Sequence, residues 1–139
     1  MILNKFKSPK ATVIGMILRN IRGKEKILLT KRNCEPYKGK WCLPGGHIDP
    51  DEKAKEAVIR EVKEETGLDF LAEFLMYFDE IIPEKDIHAV VLIFKGYSEG
   101  KLNPDEGEVS EARWVTIEEA LRFELAFQHR EIFELLMKR

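Results

Sequence analysis

Residues 46–68 read Gly-His-Ile-Asp-Pro-Asp-Glu-Lys-Ala-Lys-Glu-Ala-Val-Ile-Arg-Glu-Val-Lys-Glu-Glu-Thr-Gly-Leu, and acids, glycines and apolar residues recur in them at fixed intervals. Gly46 is followed by five residues and Glu52, then by seven residues and the pair Arg60-Glu61. Val62, Glu64-Glu65, Gly67 and Leu68 complete the order. Residues 54–65 are predicted to be helical, because Ala, Glu, Lys, Arg and Val dominate them and Gly and Pro are absent. Pro50 stands just ahead of this helix. Asp51 is the expected N-cap, whose side chain accepts free backbone N–H groups. Thr66-Gly67 ends the helix, with Gly67 suited to the left-handed C-terminal position. Ala54, Ala57, Val58 and Val62 recur at helical spacing and form the expected buried face.

Glu61, Glu64 and Glu65 lie three and four residues apart. On a helix this places all three carboxylates within about 100° of arc. Like charges so spaced repel by a few tenths of a kcal/mol per exposed pair. A divalent cation reverses the sign of that term. Mg²⁺ accepts a few carboxylate oxygens plus water and substrate phosphates, without a closed protein cage. Arg60 is four residues from both Glu56 and Glu64 and can neutralise and orient a neighbouring carboxylate. Gly45-Gly46, in the loop 44–51, allow a sharp turn and close backbone approach. Three acids alone on a charged helix are most simply a solvated face. The two punctuating glycines and the fixed spacing argue for the cation-binding alternative.

The order of residues 46–68 resembles a complete Nudix box. A chance match of its seven identities at one starting point is below about one in ten million. The lead-in Lys40-Trp41-Cys42-Leu43-Pro44-Gly45-Gly46 and the segment 108–115 are also similar to that family, so the resemblance covers roughly residues 10–138. It implies a hydrolase that uses Mg²⁺, or Mn²⁺ in its place, to split a nucleoside diphosphate linked to another group. It further implies that the Gly45 carbonyl joins Glu61, Glu64 and Glu65 as a metal ligand. Arg60 and Glu52 would hold the loop on the helix. A further ligand or catalytic carboxylate is implied ahead of Trp114, where Glu108 is the first candidate and Glu106 and Glu111 compete. Glu65, Glu64 or Glu108 would take the proton of the attacking water. No part of the chain suggests a covalent nucleophile positioned by a base.

At 139 residues the chain is expected to form one domain, residues 1–139, with room for a sizeable core. Its 44% apolar content is ordinary and its 35% charged content high. A net charge of −2 gives no push toward nucleic acid or a membrane. No segment approaches the length needed to span a bilayer, and the N-terminus through Pro9 lacks a signal-like apolar run. Cys34 and Cys42 lack close metal or redox spacing, which favours free thiols in a reducing cytoplasm. Both a monomer and a homodimer agree with these features.

Strands are expected over residues 11–18, 26–31, 68–77, 88–97 and 112–115, with a short apolar piece at 41–43. Residues 78–87, with Pro83, read as a polar connection, and residues 100–107 as a loop. Thr116 caps a short helix over 116–123. A C-terminal helix over 126–138 carries Ile132, Leu135 and Leu136 on its inner face. Many strands are joined by turns rather than helices, which argues for an α+β fold with a mixed sheet flanked by helices. The resemblance implies the same, as an α/β/α sandwich with the box helix over the sheet.

Two features resemble the ADP-ribose pyrophosphatase branch. Pro83 lies fifteen residues past Leu68, and Leu125-Ala126-Phe127-Gln128-His129 is similar to a Leu-Ala-Phe-Asp-His stretch, with Gln128 departing from it. The expected substrate is therefore ADP-ribose, giving AMP and ribose 5-phosphate. The alternatives are a MutT-like pyrophosphatase of nucleoside triphosphates, oxidised dGTP included, and a nucleotide sensor without turnover. Sensors of that kind carry an added DNA-binding domain, for which this length leaves no room. Tyr37, Trp41, Tyr97 and Phe127 are candidates for stacking on a base, though each also suits core or rim. His47, His88 and His129 are scattered, and none is assigned to catalysis.

Overall fold

The computed structural model of the chain describes residues 8–139. The first seven residues, on which the expectation of an N-terminus without a signal falls, lie outside these. At the centre is β1 (Lys10–Ile21), whose Val13, Ile14, Met16 and Ile17 are all buried. Successive side chains of a strand point to opposite faces, so a strand apolar on both faces needs cover on both. Val13 and Ile17 pack with Leu28, Val58, Val62 and Phe70, whereas Ile14 and Met16 pack with Leu29, Leu43, Ile132 and Phe133.

Arg22 and Gly23, with φ of 53° and 81°, turn the chain into β2 (Lys24–Arg32). Positive φ at both central residues matches the twist of a two-residue hairpin. β3 (Trp41–Cys42) and β4 (Gly45–His47) follow, β3 on β2 and β4 on the first half of β1. The box helix α1 (Ala54–Thr66) covers one face of the sheet. After β5 (Asp69–Phe70), β6 (Glu73–Ile82) pairs antiparallel with β7 (Ile87–Gly96), and β7 lies parallel to β1. β8 (Ser98–Glu99) pairs with β5, and β9 (Val109–Val115) returns beside β2. α2 (Ile117–Ala120) and α3 (His129–Met137) bring Ala120, Ile132 and Phe133 to the opposite face from α1. The result is the expected mixed sheet between helices.

Several local expectations are corrected. Asp51 is not the N-cap of α1: it sits in a left-handed turn at φ 65°, and the helix starts after Lys53. The Lys53 N–H donates to the Glu56 carboxylate at 2.9 Å, so Glu56 closes the helix start and is not an Arg60 partner. Residues 78–82 belong to β6, whose alternation of exposed and buried residues hides a strand behind a polar sequence; the connection shrinks to a turn at Pro83–Lys85. α3 begins at His129 rather than at 126, and Phe133, not the exposed Leu135, faces the core. The left-handed end of α1 at Gly67 (φ 79°) and the Thr116 cap of α2 are as expected.

Gly15 lies under α1. A Cβ there would meet the Phe70 ring at 2.9 Å and Val62 Cγ2 at 3.0 Å. Bare backbone at this position lets the helix settle onto β1 and sets its height above β4. Gly15→Val should therefore cost about 1–3 kcal/mol through overpacking. Urea denaturation checks this; a midpoint equal to the wild type's would show that α1 packs more loosely than described.

Candidate active site

Arg60 is the hub of the box. Its Nε and Nη2 donate to the two oxygens of Glu52 at 2.8 and 3.0 Å. Nη2 also reaches the His47 carbonyl at 3.0 Å, and Nη1 donates to Glu61 at 3.0 Å and Glu64 at 3.2 Å. One guanidinium so fastens the loop carrying His47 and Glu52 to the helix carrying Glu61 and Glu64. A planar fork of donors suits this bidentate task, which a lysine could not perform. The Arg60 hydrogen bonds hold the Glu52 carboxyl below the usual range, helped by the Asp49 N–H.

Glu65 is one turn past Glu61 on the buried side of the helix and only 7% exposed. Burial pushes its carboxyl well above the usual range, and the neighbouring Glu61, hydrogen-bonded to it, pushes the same way, as does Glu108. The Gly45 N–H donates to Glu65 and partly offsets this. β4 runs so close to α1 that a Cβ on Gly46 would lie 2.5 Å from Glu61 Cδ. A Cβ on Gly45 would lie 2.1 Å from the Val13 carbonyl oxygen. The two glycines are required by space, because β4 is squeezed between β1 and the carboxylates.

Glu108 arrives from far along the chain. The Asn103 N–H donates to the Thr66 carbonyl at 2.7 Å and the Asp105 N–H to the Glu65 carbonyl at 3.0 Å. These bonds tie the loop to the end of α1 and bring Glu108 to the acids. Burial raises its carboxyl above the usual range, followed by the charges of Glu61, Asp105 and Glu64. Glu111 instead pairs with Arg113, and Glu106 offers its main-chain carbonyl to Asn33. Of the three competing acids, Glu108 is the one that lines the cleft with Glu61 and Glu65. Glu64 is half-exposed on the Arg60 side and does not line it.

The cleft is about 1240 Å³, large enough for a dinucleotide-sized ligand, and its walls include Arg32, Pro83, His88 and Phe127. Phe127 is carried by a strap, residues 124–129, laid along β3. The Trp41 N–H donates to the Glu124 carbonyl and the Ala126 N–H to the Trp41 carbonyl, both at 2.8 Å. The Gln128 side chain clamps the other side, giving and taking hydrogen bonds with the Ile81 main chain at 3.0 and 3.1 Å. Phe127 is thereby held at φ 53°, against Tyr37 with ring centres 4.9 Å apart. Trp41 is buried against Phe123, and neither it nor Tyr97 lines the cleft. His129 is structural: buried, it accepts the Leu43 N–H on Nδ1 at 3.1 Å. The thiols of Cys34 and Cys42 are free, and burial pushes Cys42 up to about 11.

The acids are oxygen donors of the kind Mg²⁺ and Mn²⁺ accept, and the partly desolvated Glu65 forms no ion pair among the described residues. The donor chemistry therefore fits a divalent ion. Among the described residues, no three His, Cys, Asp or Glu side chains already form a closed metal cage. Arg60 Nη1 draws Glu61 and Glu64 to itself instead. Basic residues that sequence reading overlooked also belong to the cleft, Arg32 first among them. At the end of a strand before a polar loop, it carries no local signal beyond its charge.

The sequence model of the NUDIX domain matches residues 9–136. The ADPR responsive transcriptional repressor NtrR of Acinetobacter baylyi is 29% identical over 140 residues, 93% of this chain and 53% of its own length. The ADP-ribose pyrophosphatase of Methanocaldococcus jannaschii is 48% identical over 60 residues, 43% of this chain and 33% of its own length. The chain thus spans about half or less of the length of these curated relatives. Among solved structures, the NUDIX domain of Shewanella oneidensis NrtR complexed with ADP ribose is similar with a TM-score of 0.83 at 26% identity, covering 100% of this chain and 93% of that one.

Burial lowers the His129 imidazole to about 3 from an ordinary 6.5, with a smaller push from Arg32. The folded state keeps it neutral while the unfolded chain takes up a proton below 6.5. Its contribution to stability is thus complete above pH 6.5 and is lost as pH falls toward 3, by at most about 1.4 kcal/mol per pH unit. His129→Gln should be less stable at pH 8 yet show a flatter acid limb in urea denaturation. An acid limb as steep as the wild type's would place the titrating group elsewhere.

Proposed function

The chain belongs to the Nudix family, and from that premise we propose that it hydrolyses the diphosphate bond of ADP-ribose, giving AMP and ribose 5-phosphate. One observation carries the reading: Glu61, Glu65 and Glu108 share a single cleft with Pro83 and Phe127. The acids supply the chemistry of the box. Pro83 and Phe127 belong to the two stretches that resemble the ADP-ribose pyrophosphatase branch, and they are brought to the same cavity from separate parts of the chain. The likeness to the ADP-ribose pyrophosphatase of M. jannaschii and to a Nudix domain complexed with ADP ribose supports the same substrate.

Glu61, Glu65 and Glu108, with the Gly45 carbonyl, would hold the cation in the cleft, and Glu64 would join them by giving up its contact with Arg60. A divalent ion held there would supply neutralisation of phosphoryl charge and a more acidic water. Arg60 and Glu52 keep loop and helix in register, so the acids do not reorganise as charge develops. Phe127, rigid on its strap, offers the nucleoside an apolar ring. A carboxylate of the cluster (Glu64, Glu65 or Glu108) accepts the proton of the attacking water. Water then adds to one phosphorus and the other phosphate departs. A small nucleotide is the only partner this chemistry requires. We place the activity in a single domain, residues 1–139, and in a reducing cytoplasm, in keeping with the free thiols. Among the described residues no helix is long and apolar enough to cross a membrane.

A nucleotide sensor without turnover is the second reading, favoured by the likeness to a transcriptional repressor described as ADPR responsive. The deciding test is a hydrolysis screen over ADP-ribose, nucleotide sugars, dinucleoside polyphosphates and oxidised dGTP with Mg²⁺. ADP-ribose should turn over best, stop in EDTA and resume on adding Mg²⁺ or Mn²⁺. In ¹⁸O-water the label should appear in a phosphate-bearing product. Glu61→Gln and Glu65→Gln should each lower kcat by about 100-fold or more. Full turnover in excess EDTA would refute the mechanism. ADP-ribose binding without product would establish the sensor, and far faster hydrolysis of oxidised dGTP would establish the MutT-like alternative.

A further inference from the structure

The cleft contains a cation outside the box. Arg32 ends β2, is half-buried, and lines the same cavity as Glu61, Glu65 and Glu108. Its Nε donates to the Pro36 carbonyl at 2.6 Å and its Nη2 to Cys34 Sγ at 3.7 Å. Its guanidinium carbon stands 5.0 Å from the centre of the Phe127 ring. These contacts hold the plane of the group without cancelling its charge. Arg60 pairs with Asp49, Glu52, Glu61 and Glu64. Arg32, by contrast, forms an ion pair with no carboxylate among the described residues. A guanidinium carries five N–H donors, and an unpaired, half-buried one leaves several of them to be satisfied from the cleft.

We propose that Arg32 is a phosphate-binding residue, donating to a non-bridging phosphoryl oxygen of the substrate between the acid cluster and Phe127. The inference rests on the reading of this cleft as a diphosphate site, and not on which nucleoside is attached. An acidic cleft repels a polyphosphate, so attraction has to come from positive charge within it. The arginine fork matches two phosphoryl oxygens at once, and partial burial strengthens the interaction over one in bulk water. Pro36, Cys34 and Phe127 already fix the side chain, so little rotamer freedom is lost on binding. Arg32 thus lines the cleft with the acids while standing over the Phe127 ring, and its charge acts on Glu108.

Isothermal calorimetry with inorganic pyrophosphate, in saturating Mg²⁺ and at two salt concentrations, tests this on the wild type, Arg32→Lys and Arg32→Gln. Arg32→Gln should bind pyrophosphate about tenfold or more weakly, as loss of a charge-assisted bond requires, and with a shallower salt dependence. Arg32→Lys keeps the charge and should recover part of the affinity. Three results would overturn the proposal. The first is Arg32→Gln binding within about twofold of the wild type. The second is an equal loss in both variants with unchanged salt dependence, the behaviour of a mere loop support. The third is a wild type that does not bind pyrophosphate. The two readings separate cleanly. Pyrophosphate held through Arg32 by a protein that hydrolyses no nucleoside diphosphate would defeat the enzyme reading alone. Turnover of ADP-ribose with unchanged kcat and KM in Arg32→Gln would defeat this proposal alone.

Discussion

Glu61 and Glu65 crowd two carboxyls into a place where water would do little to screen them if both were ionised, and much of the molecule serves to keep them there. One helical turn separates them, and the Glu65 carboxyl is buried. β4 closes over them without side chains, because neither Gly45 nor Gly46 has room for a Cβ. Gly15 lets the helix descend to this height, and Arg60 prevents the loop from lifting away. Burying charge without a partner is among the costliest things a fold can do. Such a cost is retained where a site must be ready for a cation and a phosphate, and perturbed carboxyls in a cleft are its usual sign.

The rest of the cleft follows from that corner by short connections. The loop 103–108 is tied to the carbonyls at the end of α1, so the third acid is placed by the helix that holds the first two. The strap 124–129 hangs from β3, immediately ahead of the glycines, and is clamped to β6 by Gln128. Phe127 and the acids are thus fixed to the same few strands. Gln128, the position at which residues 125–129 depart from the stretch they resemble, pairs with the Ile81 main chain as a neighbouring strand would.

What could be read from the sequence was what local rules decide. The extent of α1, its left-handed end at Gly67 and the shared face of Glu61, Glu64 and Glu65 follow from helical period and glycine stereochemistry. So does the Thr116 cap. The start of α1 at Ala54 is legible, but its N-cap is not: Asp51 is the better capping residue by type, while Glu56 reaching back to Lys53 decides the matter. β6 was cut short because Asp79 and Glu80 look like loop residues. One is exposed on an open face, and the other is buried and accepts the Gln128 N–H at 3.4 Å. The preference for Glu108 over Glu106 and Glu111, and the presence of Arg32, arise from contacts between residues far apart in the chain. No window of sequence holds that information.

The central claim is that like-charge crowding at Glu65 is a cost in the bare protein and a gain once a divalent cation is bound. Urea-denaturation midpoints of the wild type and Glu65→Gln, each measured in EDTA and in saturating Mn²⁺, test it most directly. The account predicts a reversal of order. In EDTA the variant is as stable as the wild type or more so, because a buried carboxyl crowded by its neighbours has been removed; in Mn²⁺ the wild type is the more stable, because binding to the folded state stabilises it. A variant that is less stable in EDTA, with no gain for the wild type from Mn²⁺, would contradict the claim.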